Sequence, residues 1–283
     1  MSRLKLGKKT ALITGASRGI GAAIAKSFAA EGASLVLCSR TPHIQAVATD
    51  IKAKGGDVIA YEADVSSAQD VDKMVKDALT VFTRIDILVN NAGVYGPIGQ
   101  IWKNDPAKWR YTVSVNLFGA VNCIFAVLPS MIESQKGKII NLAGGGEGAF
   151  PRFSAYACSK SAVIRLTETL AAELAEHKID INSIAPGPVN TQLLDEVLAA
   201  GFEAGDFYAK ALKQKQEGGV PANNAVALAV FLASDASDRI TGRLLSAVWD
   251  NWKTIDATAL STTPLYQMRR IDNRRFRYNE ANP

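Results

Sequence analysis

The stretch with the most evident chemistry is Tyr156-Ala157-Cys158-Ser159-Lys160. In a helix, a tyrosine and a lysine at positions i and i+4 lie one turn apart on the same face. A free tyrosine titrates near ~10 and a lysine near ~10.4. An ammonium held beside a phenol favours the phenolate, so the phenol can exchange protons nearer neutral pH. The pair therefore suits general acid/base work. The same spacing also occurs on helices that do no chemistry, so its weight depends on the elements around it.

A phosphate cradle stands near the start of the chain. Residues 9–14 read as a short buried strand, Gly15-Ala16-Ser17-Arg18-Gly19-Ile20-Gly21 as a turn, and residues 22–32 as a helix. Glycines let the backbone approach a pyrophosphate, and the helix N-terminus offers free N–H groups and a positive dipole end. The glycine spacing differs from the general dinucleotide fingerprint, and such a turn can also serve packing alone. A second strand over 34–38 ends in Ser39-Arg40. That strand end meets the adenosine ribose in such folds, where a carboxylate suits a 2′-hydroxyl and an arginine suits a 2′-phosphate. Arg18 and Arg40, with Ser39 in place of an acid, favour NADP(H) through bidentate phosphate binding. The alternative is two solvated surface arginines.

The remaining segments must position these groups. Strands are expected over 58–61, 85–89, 138–142 and 179–184, alternating with helices over 71–82, 109–131 and 156–177. That alternation predicts a parallel, doubly wound α/β sheet with right-handed crossovers. No linker or repeat divides the chain, so a single domain over 1–250 with a C-terminal extension over 251–283 is expected. A chain of 283 residues, 48% hydrophobic and 21% charged, is large enough to bury a full core.

Composition excludes several classes. Three cysteines without paired spacing fit a reduced, cytoplasmic protein, and two distant histidines give no metal site. The apolar run 118–132 reads as a buried helix, too short to span a bilayer, and the N-terminus lacks a signal-peptide profile. The net charge is +5, and residues 262–283 carry +3 of it, five arginines against Asp272 and Glu280. The nearly balanced body argues against nucleic-acid binding, and an arginine tail without aromatic platforms supports it poorly.

Taken together, Thr14 to Gly21, Asp64-Val65, Asn90-Asn91-Ala92-Gly93, Asn116, Tyr156-x-x-x-Lys160 and Pro186-Gly187-Pro188-Val189-Asn190-Thr191 resemble the short-chain dehydrogenase/reductase family. The motifs stand in family order over about residues 5–245. The resemblance implies a Rossmann fold, a nicotinamide cofactor and reversible hydride transfer between carbonyl and alcohol. It also implies a homotetramer or homodimer built partly on two long helices. By that resemblance Tyr156 is the general acid/base. Lys160 lowers its pKa and bonds the nicotinamide ribose, and Asn116 holds a water in the proton relay. Gly15, Ser17, Arg18, Gly19, Ile20, Gly21, Ser39 and Arg40 form the phosphate side of the cofactor site. Asp64 and Val65 contact adenine, and Asn90, Ala92 and Gly93 line the adenosine side. Pro186, Gly187, Val189 and Thr191 belong to the carboxamide loop.

Two features depart from the family. Its strand-end serine, which bonds the substrate oxygen, is absent, because the pattern here reads Asn141-Leu142-Ala143-Gly144-Gly145-Gly146. Losing such a donor costs on the order of a hundredfold in rate. Backbone N–H groups of residues 144–146, or the side chains of Glu147 or Ser154, are the expected substitutes. The family's usual ending is also replaced, by Trp249, Trp252 and a longer tail. The two tryptophans are expected to pack as core, with a wall of the substrate pocket or a subunit contact as alternatives. Residues 249–271 are expected on a neighbouring subunit or the rim of a cleft, with packing on their own subunit as the alternative. Residues 190–219 are the expected substrate lid, with Leu193, Leu194, Val197, Leu198, Phe202, Phe207 and Tyr208 over the cleft and Lys210, Lys213 and Lys215 solvated, an anionic substrate being the alternative partner for the lysines. Alternatives that stay open are a cofactor-binding protein with weak or no catalysis, and a sugar-modifying dehydrogenase.

Overall fold

The computed structural model describes residues 4–144 and 148–269. Seven parallel strands form one sheet in the order β3-β2-β1-β4-β5-β6-β7. They are β1 Thr10–Thr14, β2 Ser34–Ser39, β3 Val58–Glu62, β4 Ile87–Asn90, β5 Gly137–Leu142, β6 Ile179–Ala185 and β7 Leu244–Ser246. The strands are apolar on both faces, as a sheet covered by helices on both sides requires. Successive side chains alternate between the two layers. Ala11 and Ile13 of β1 face one core together with Ile24 and Phe28, while Leu12 faces the other with Met74 and Val127.

Helices α1 (Gly19–Ala30), α2 (Ile44–Ala53) and α9 (Asn223–Ala233) cover the first face. Helices α3 (Ala68–Phe82), α5 (Gly119–Glu133) and α6 (Ser154–Glu173) cover the second, and α4 (Pro106–Val113) packs on α6. After β3 the chain crosses back to place β4 on the far side of β1. This reversal opens a crevice at the C-terminal ends of β1 and β4, where open α/β sheets bind ligands. Helices α7 (Gln192–Ala200) and α8 (Asp206–Glu217) follow β6 as a lid.

The strands and most helices lie within a residue or a few of their expected bounds. The long helix expected over 109–131 is instead α4 and α5 joined by a π-helical turn, Ser114–Phe118. The apolar run expected to be too short for a bilayer therefore sits in a helix over Pro106–Glu133, long enough to cross one by length alone. Its inner face packs against α3 and the sheet through Cys123, Ile124, Val127 and Met131. Helix α2 had no counterpart in the sequence reading, because Thr41-Pro42-His43 leaves only a short amphipathic run after β2.

Within the chain, the C-terminal segment packs on its own subunit, one of the placements expected for it. Trp252 is buried against Phe231 of α9, with ring centroids 5.5 Å apart, and Leu260 of α10 (Ala257–Ser261) is buried in the same core. Buried Arg243 donates to the carbonyls of Leu260, Thr263 and Leu265 at 2.5, 2.8 and 2.7 Å. The side chain of Glu168 accepts the Met268 N–H at 2.6 Å and lies 3.5 Å from Arg269. The extension up to Arg269 thus docks on its own fold. Arg270, Arg274, Arg275 and Arg277 lie outside the described residues.

Candidate active site

A cleft of about 530 Å³ runs along the ends of β1 and β4. Gly15, Ser17, Arg18, Gly19 and Ile20 form its floor, while Ser39, Arg40 and Thr41 stand at one end. Ala63, Val65, Ala92, Gly93 and Thr191 complete the walls. The glycine turn is tightly fitted to the sheet. At Gly15, whose φ is +62°, a Cβ would lie 2.8 Å from Ala92 Cα. At Gly21 it would lie 2.4 Å from Asn91 Nδ2 and 2.5 Å from the Gly15 carbonyl. Asn91 fixes this contact by donating from Nδ2 to the carbonyls of Thr14 and Gly15, both at 3.0 Å.

At the far end the Ser39 hydroxyl donates to Ser17 at 3.0 Å and sits 3.3 Å from the Thr41 hydroxyl. Arg40 donates to the Tyr111 hydroxyl of α4, and its guanidinium lies 5.7 Å over that ring. Hydroxyls and two guanidiniums, with no carboxylate from the β2 end, suit a phosphate-bearing ribose. The donor set and the glycine cradle fit a dinucleotide. Asp64 and Asn90 stand apart from the other expected cofactor residues. The Asp64 carboxylate accepts from Ser66 N–H and Oγ at 2.9 and 2.7 Å, and buried Asn90 donates to Asn141 Oδ1 at 2.9 Å. Neither side chain lines the cleft; Val65 and Asn91, their neighbours, do.

A second cavity of about 420 Å³ adjoins the first, and both are lined by Ile20, Thr191 and Leu193. Tyr156, only 9% exposed, faces this second cavity. Pro186, Gly187 and Val189 form one wall. The opposite wall is aromatic. Tyr95 lies 4.6 Å from Tyr156 and 5.2 Å from Phe153 by ring centroids, and Phe150 stacks on Phe153 at 4.5 Å and meets Phe207 at 4.4 Å. Leu193, Leu194 and Val197 of the lid line it as expected, but Phe202 is 90% exposed and points away. Trp249 stands at the rim, 72% exposed. Lys213 pairs with Glu217 and Lys215 with Asp195, while Lys210 rests 4.8 Å over the Phe207 ring.

Helix α6 brings the expected pair together. Lys160 is buried; its Nζ donates to the Leu142 carbonyl at 2.6 Å and lies 5.8 Å from the Tyr156 ring centroid. Burial alone pulls its pKa down to about 8. A Cβ on Gly93 would approach this Nζ to 3.5 Å and Asn116 Oδ1 to 3.4 Å, so glycine leaves room for both.

Asn116 occupies the π-helical turn, a distortion frequent at functional sites. Its Oδ1 accepts the Val94 N–H at 2.9 Å, and its Nδ2 donates to the Val94 carbonyl at 2.9 Å and to Ser159 Oγ at 3.0 Å. The side chain expected to hold a relay water is thus tied to protein groups on both sides.

The serine-less stretch is also accounted for in part. Ala143 is fully buried beside Val163 and Ile164, and its N–H donates to the Ile184 carbonyl at 2.9 Å. Gly144 faces the second cavity, where a Cβ would lie 2.9 Å from Pro186 Cδ. Gly145, Gly146 and Glu147 lie outside the described residues. The Ser154 hydroxyl accepts from Trp109 Nε1 at 3.1 Å and does not line the cavity, against the expectation for it. Sequence reasoning missed Tyr95, Phe150 and Phe153. Tyr95 follows two residues after Gly93, and the Phe150-Pro151-Arg152-Phe153 run precedes α6, so proximity to known motifs was the available signal.

A sequence model of the short chain dehydrogenase family matches residues 9–200. A 3-oxoacyl-(acyl-carrier-protein) reductase of Staphylococcus epidermidis is 35% identical over 241 residues, spanning 84% of this chain and 96% of that protein. The oxidoreductase UcpA of Salmonella typhimurium is 36% identical over 246 residues, spanning 84% and 92%. The structure of an NAD+-bound xylitol dehydrogenase superposes with a TM-score of 0.79 at 30% identity, over 86% of this chain and 98% of that one.

Proposed function

We propose that this chain, which belongs to the short-chain dehydrogenase family, transfers hydride between NADP(H) and a small carbonyl or alcohol substrate. The observation that carries this reading is the placement of Tyr156 in an apolar cavity that opens onto the glycine-turn cleft, with Lys160 one turn away on α6. Bound in that cleft, the nicotinamide supplies or accepts the hydride. Gly15, Ser17, Arg18, Gly19, Ile20 and Gly21 would cradle its phosphates, and Ser39 and Arg40 the 2′-phosphate. Val65, Ala92 and Gly93 would flank the adenosine, with Asp64 and Asn90 shaping that wall from behind. Pro186, Gly187, Val189 and Thr191 would hold the carboxamide end.

Tyr156 gives its proton to the substrate oxygen in reduction and recovers it in oxidation. Lys160 favours the phenolate through its charge. Asn116 keeps α6 in register with the Val94 loop through the bonds already described. NAD+ in the similar xylitol dehydrogenase leaves the NADP(H) preference resting on Arg18 and Arg40. The apolar, aromatic lining of the substrate cavity favours a hydrophobic body over a polyol, which weighs against the sugar-modifying reading. A homotetramer or homodimer is supported by exposed Phe118, at the end of the π-helical turn, and Phe125 on α5. A cytoplasmic setting is supported by free Cys38 and Cys123, both buried.

The missing hydroxyl at Ala143 and Gly144 favours a second reading, a cofactor-binding protein with weak catalysis. One experiment separates the two. NADPH oxidation is followed over a panel of aryl and alkyl ketones with wild type and Tyr156→Phe. Turnover lost in Tyr156→Phe at unchanged NADPH affinity is the expected result. Tight NADPH binding without turnover of any ketone would establish the weak-catalysis reading.

A further inference from the structure

A site that develops negative charge on a substrate oxygen gains from a second fixed donor beside the general acid. Ala143 and Gly144 offer no hydroxyl, the Ala143 N–H is bonded to Ile184, and Ser154 is turned towards Trp109. Tyr95 lines the same cavity as Tyr156, and the two rings meet edge to face at 67°. Its hydroxyl makes no hydrogen bond among the described residues.

Its placement is rigid. Phe153 packs against the ring at 5.2 Å. The preceding Val94 is held through both its N–H and its carbonyl by Asn116. The following Gly96 sits so close to α4 that a Cβ there would overlap Thr112 Oγ1. Glu196 of the lid helix lies near the Tyr95 backbone. Burial, with the Glu196 charge adding to it, pushes the phenol up to about 12. The group therefore keeps its proton and acts as a donor, not as a base.

We propose that Tyr95 is a second catalytic tyrosine, donating a hydrogen bond to the substrate oxygen that Tyr156 protonates, in the role left open at Ala143. The proposal rests on the oxidoreductase reading of the site. In reduction the carbonyl carbon takes the hydride as NADPH becomes NADP+. The C=O π pair moves onto oxygen, Tyr156 gives the proton that completes the alcohol, and Tyr95 retains its own.

The test uses the full chain with acetophenone as substrate and 1-phenylethanol for the reverse reaction. Tyr95→Phe keeps the ring and its packing, so a purely structural role predicts unchanged kinetics. The expected result is a fall in kcat of about a hundredfold or more, with KM and NADPH affinity within a few fold of wild type. A kcat within about threefold of wild type, in a protein that Tyr156→Phe inactivates, overturns the proposal while leaving the oxidoreductase reading intact. A structure of the complex with NADP+ and 1-phenylethanol provides a readout that needs no turnover. Tyr95 Oη within hydrogen-bond distance of the alcohol oxygen supports the role, and a Tyr95 Oη directed elsewhere overturns it. Failure of the oxidoreductase reading shows separately, as Tyr156→Phe turning over acetophenone like wild type.

Discussion

The Asn116 amide donates to the Ser159 hydroxyl at 3.0 Å, and Ser159 in turn donates to the Tyr156 carbonyl at 2.7 Å. This buried relay joins the π-helical turn to α6, the helix that carries Tyr156 and Lys160. Ser159→Ala would leave one Asn116 N–H buried without its partner, at a cost of about 1–3 kcal/mol. Asn116→Ala would also release both polar groups of Val94, so it should destabilise more and lower kcat as well. Urea denaturation of both single variants and the double variant checks this. Groups in one network should give a double-variant loss smaller than the sum of the singles; strict additivity would show that the relay couples nothing.

Lys160 makes stability depend on pH in a definable direction. Burial lowers its folded-state pKa to about 8, below the ordinary lysine value near ~10.4. Below about pH 8 both folded and unfolded states hold the proton, and the full penalty for a buried cation, on the order of 3 kcal/mol, is present. Between those two values the folded state releases its proton first, so stability climbs as pH rises. Above them both states are neutral and the penalty is gone. The stability of wild type minus that of Lys160→Met, measured by urea denaturation without cofactor, should therefore increase from about pH 8 to about pH 10. A flat difference would place the titration elsewhere.

Cofactor choice should follow the end of β2. NADPH is expected to bind more tightly than NADH, and Arg40→Ala should lose about tenfold to a hundredfold in NADPH affinity, the worth of a charged hydrogen bond. NADH affinity should change little. Ser39→Asp should invert the preference, because its carboxylate repels a 2′-phosphate and accepts from a 2′-hydroxyl. Fluorescence titration reads all three. Equal NADH and NADPH affinity in wild type would remove the roles given to Arg18 and Arg40.

What could be read in advance divides along physical lines. The sheet was legible because buried parallel strands such as Ile87–Asn90 are continuous apolar runs, and because the alternation with helices admits few topologies. The glycine turn and the Tyr156–Lys160 pair were legible because backbone freedom and helical spacing are local properties of sequence. The π-helical turn was not, since it is set by the side-chain contacts of Asn116 across the cleft and not by any propensity within Ser114–Phe118. The aromatic wall was hidden for a similar reason. Tyr95 follows β4 whereas Phe150 and Phe153 precede α6, and they meet only through the fold. Asp64 and Asn90 were placed in the cofactor site by motif, whereas their side chains are held by Ser66 and Asn141 and only their neighbours line the cleft.

The C-terminal segment is held by one buried cation. The Arg243 guanidinium is neutralised by no carboxylate within bonding distance among the described residues; its donors go to the carbonyls of Leu260, Thr263 and Leu265. Deleting everything after Ser261 removes two of those three acceptors, together with the Tyr266 carbonyl that accepts the Leu244 N–H of β7 at 2.8 Å. A buried charge stripped of its partners is costly, so the truncated chain should lose about 3 kcal/mol or more. Arg243→Met in the truncated chain should recover part of that loss, because the substitution removes the uncompensated charge and keeps the volume. In the full-length chain the same substitution should destabilise, since three bonded carbonyls lose their donor. Urea denaturation measures these stabilities, and light scattering gives the molar mass of each variant. Truncation that leaves stability unchanged but lowers the molar mass would mean that the segment serves a neighbouring subunit and not its own fold.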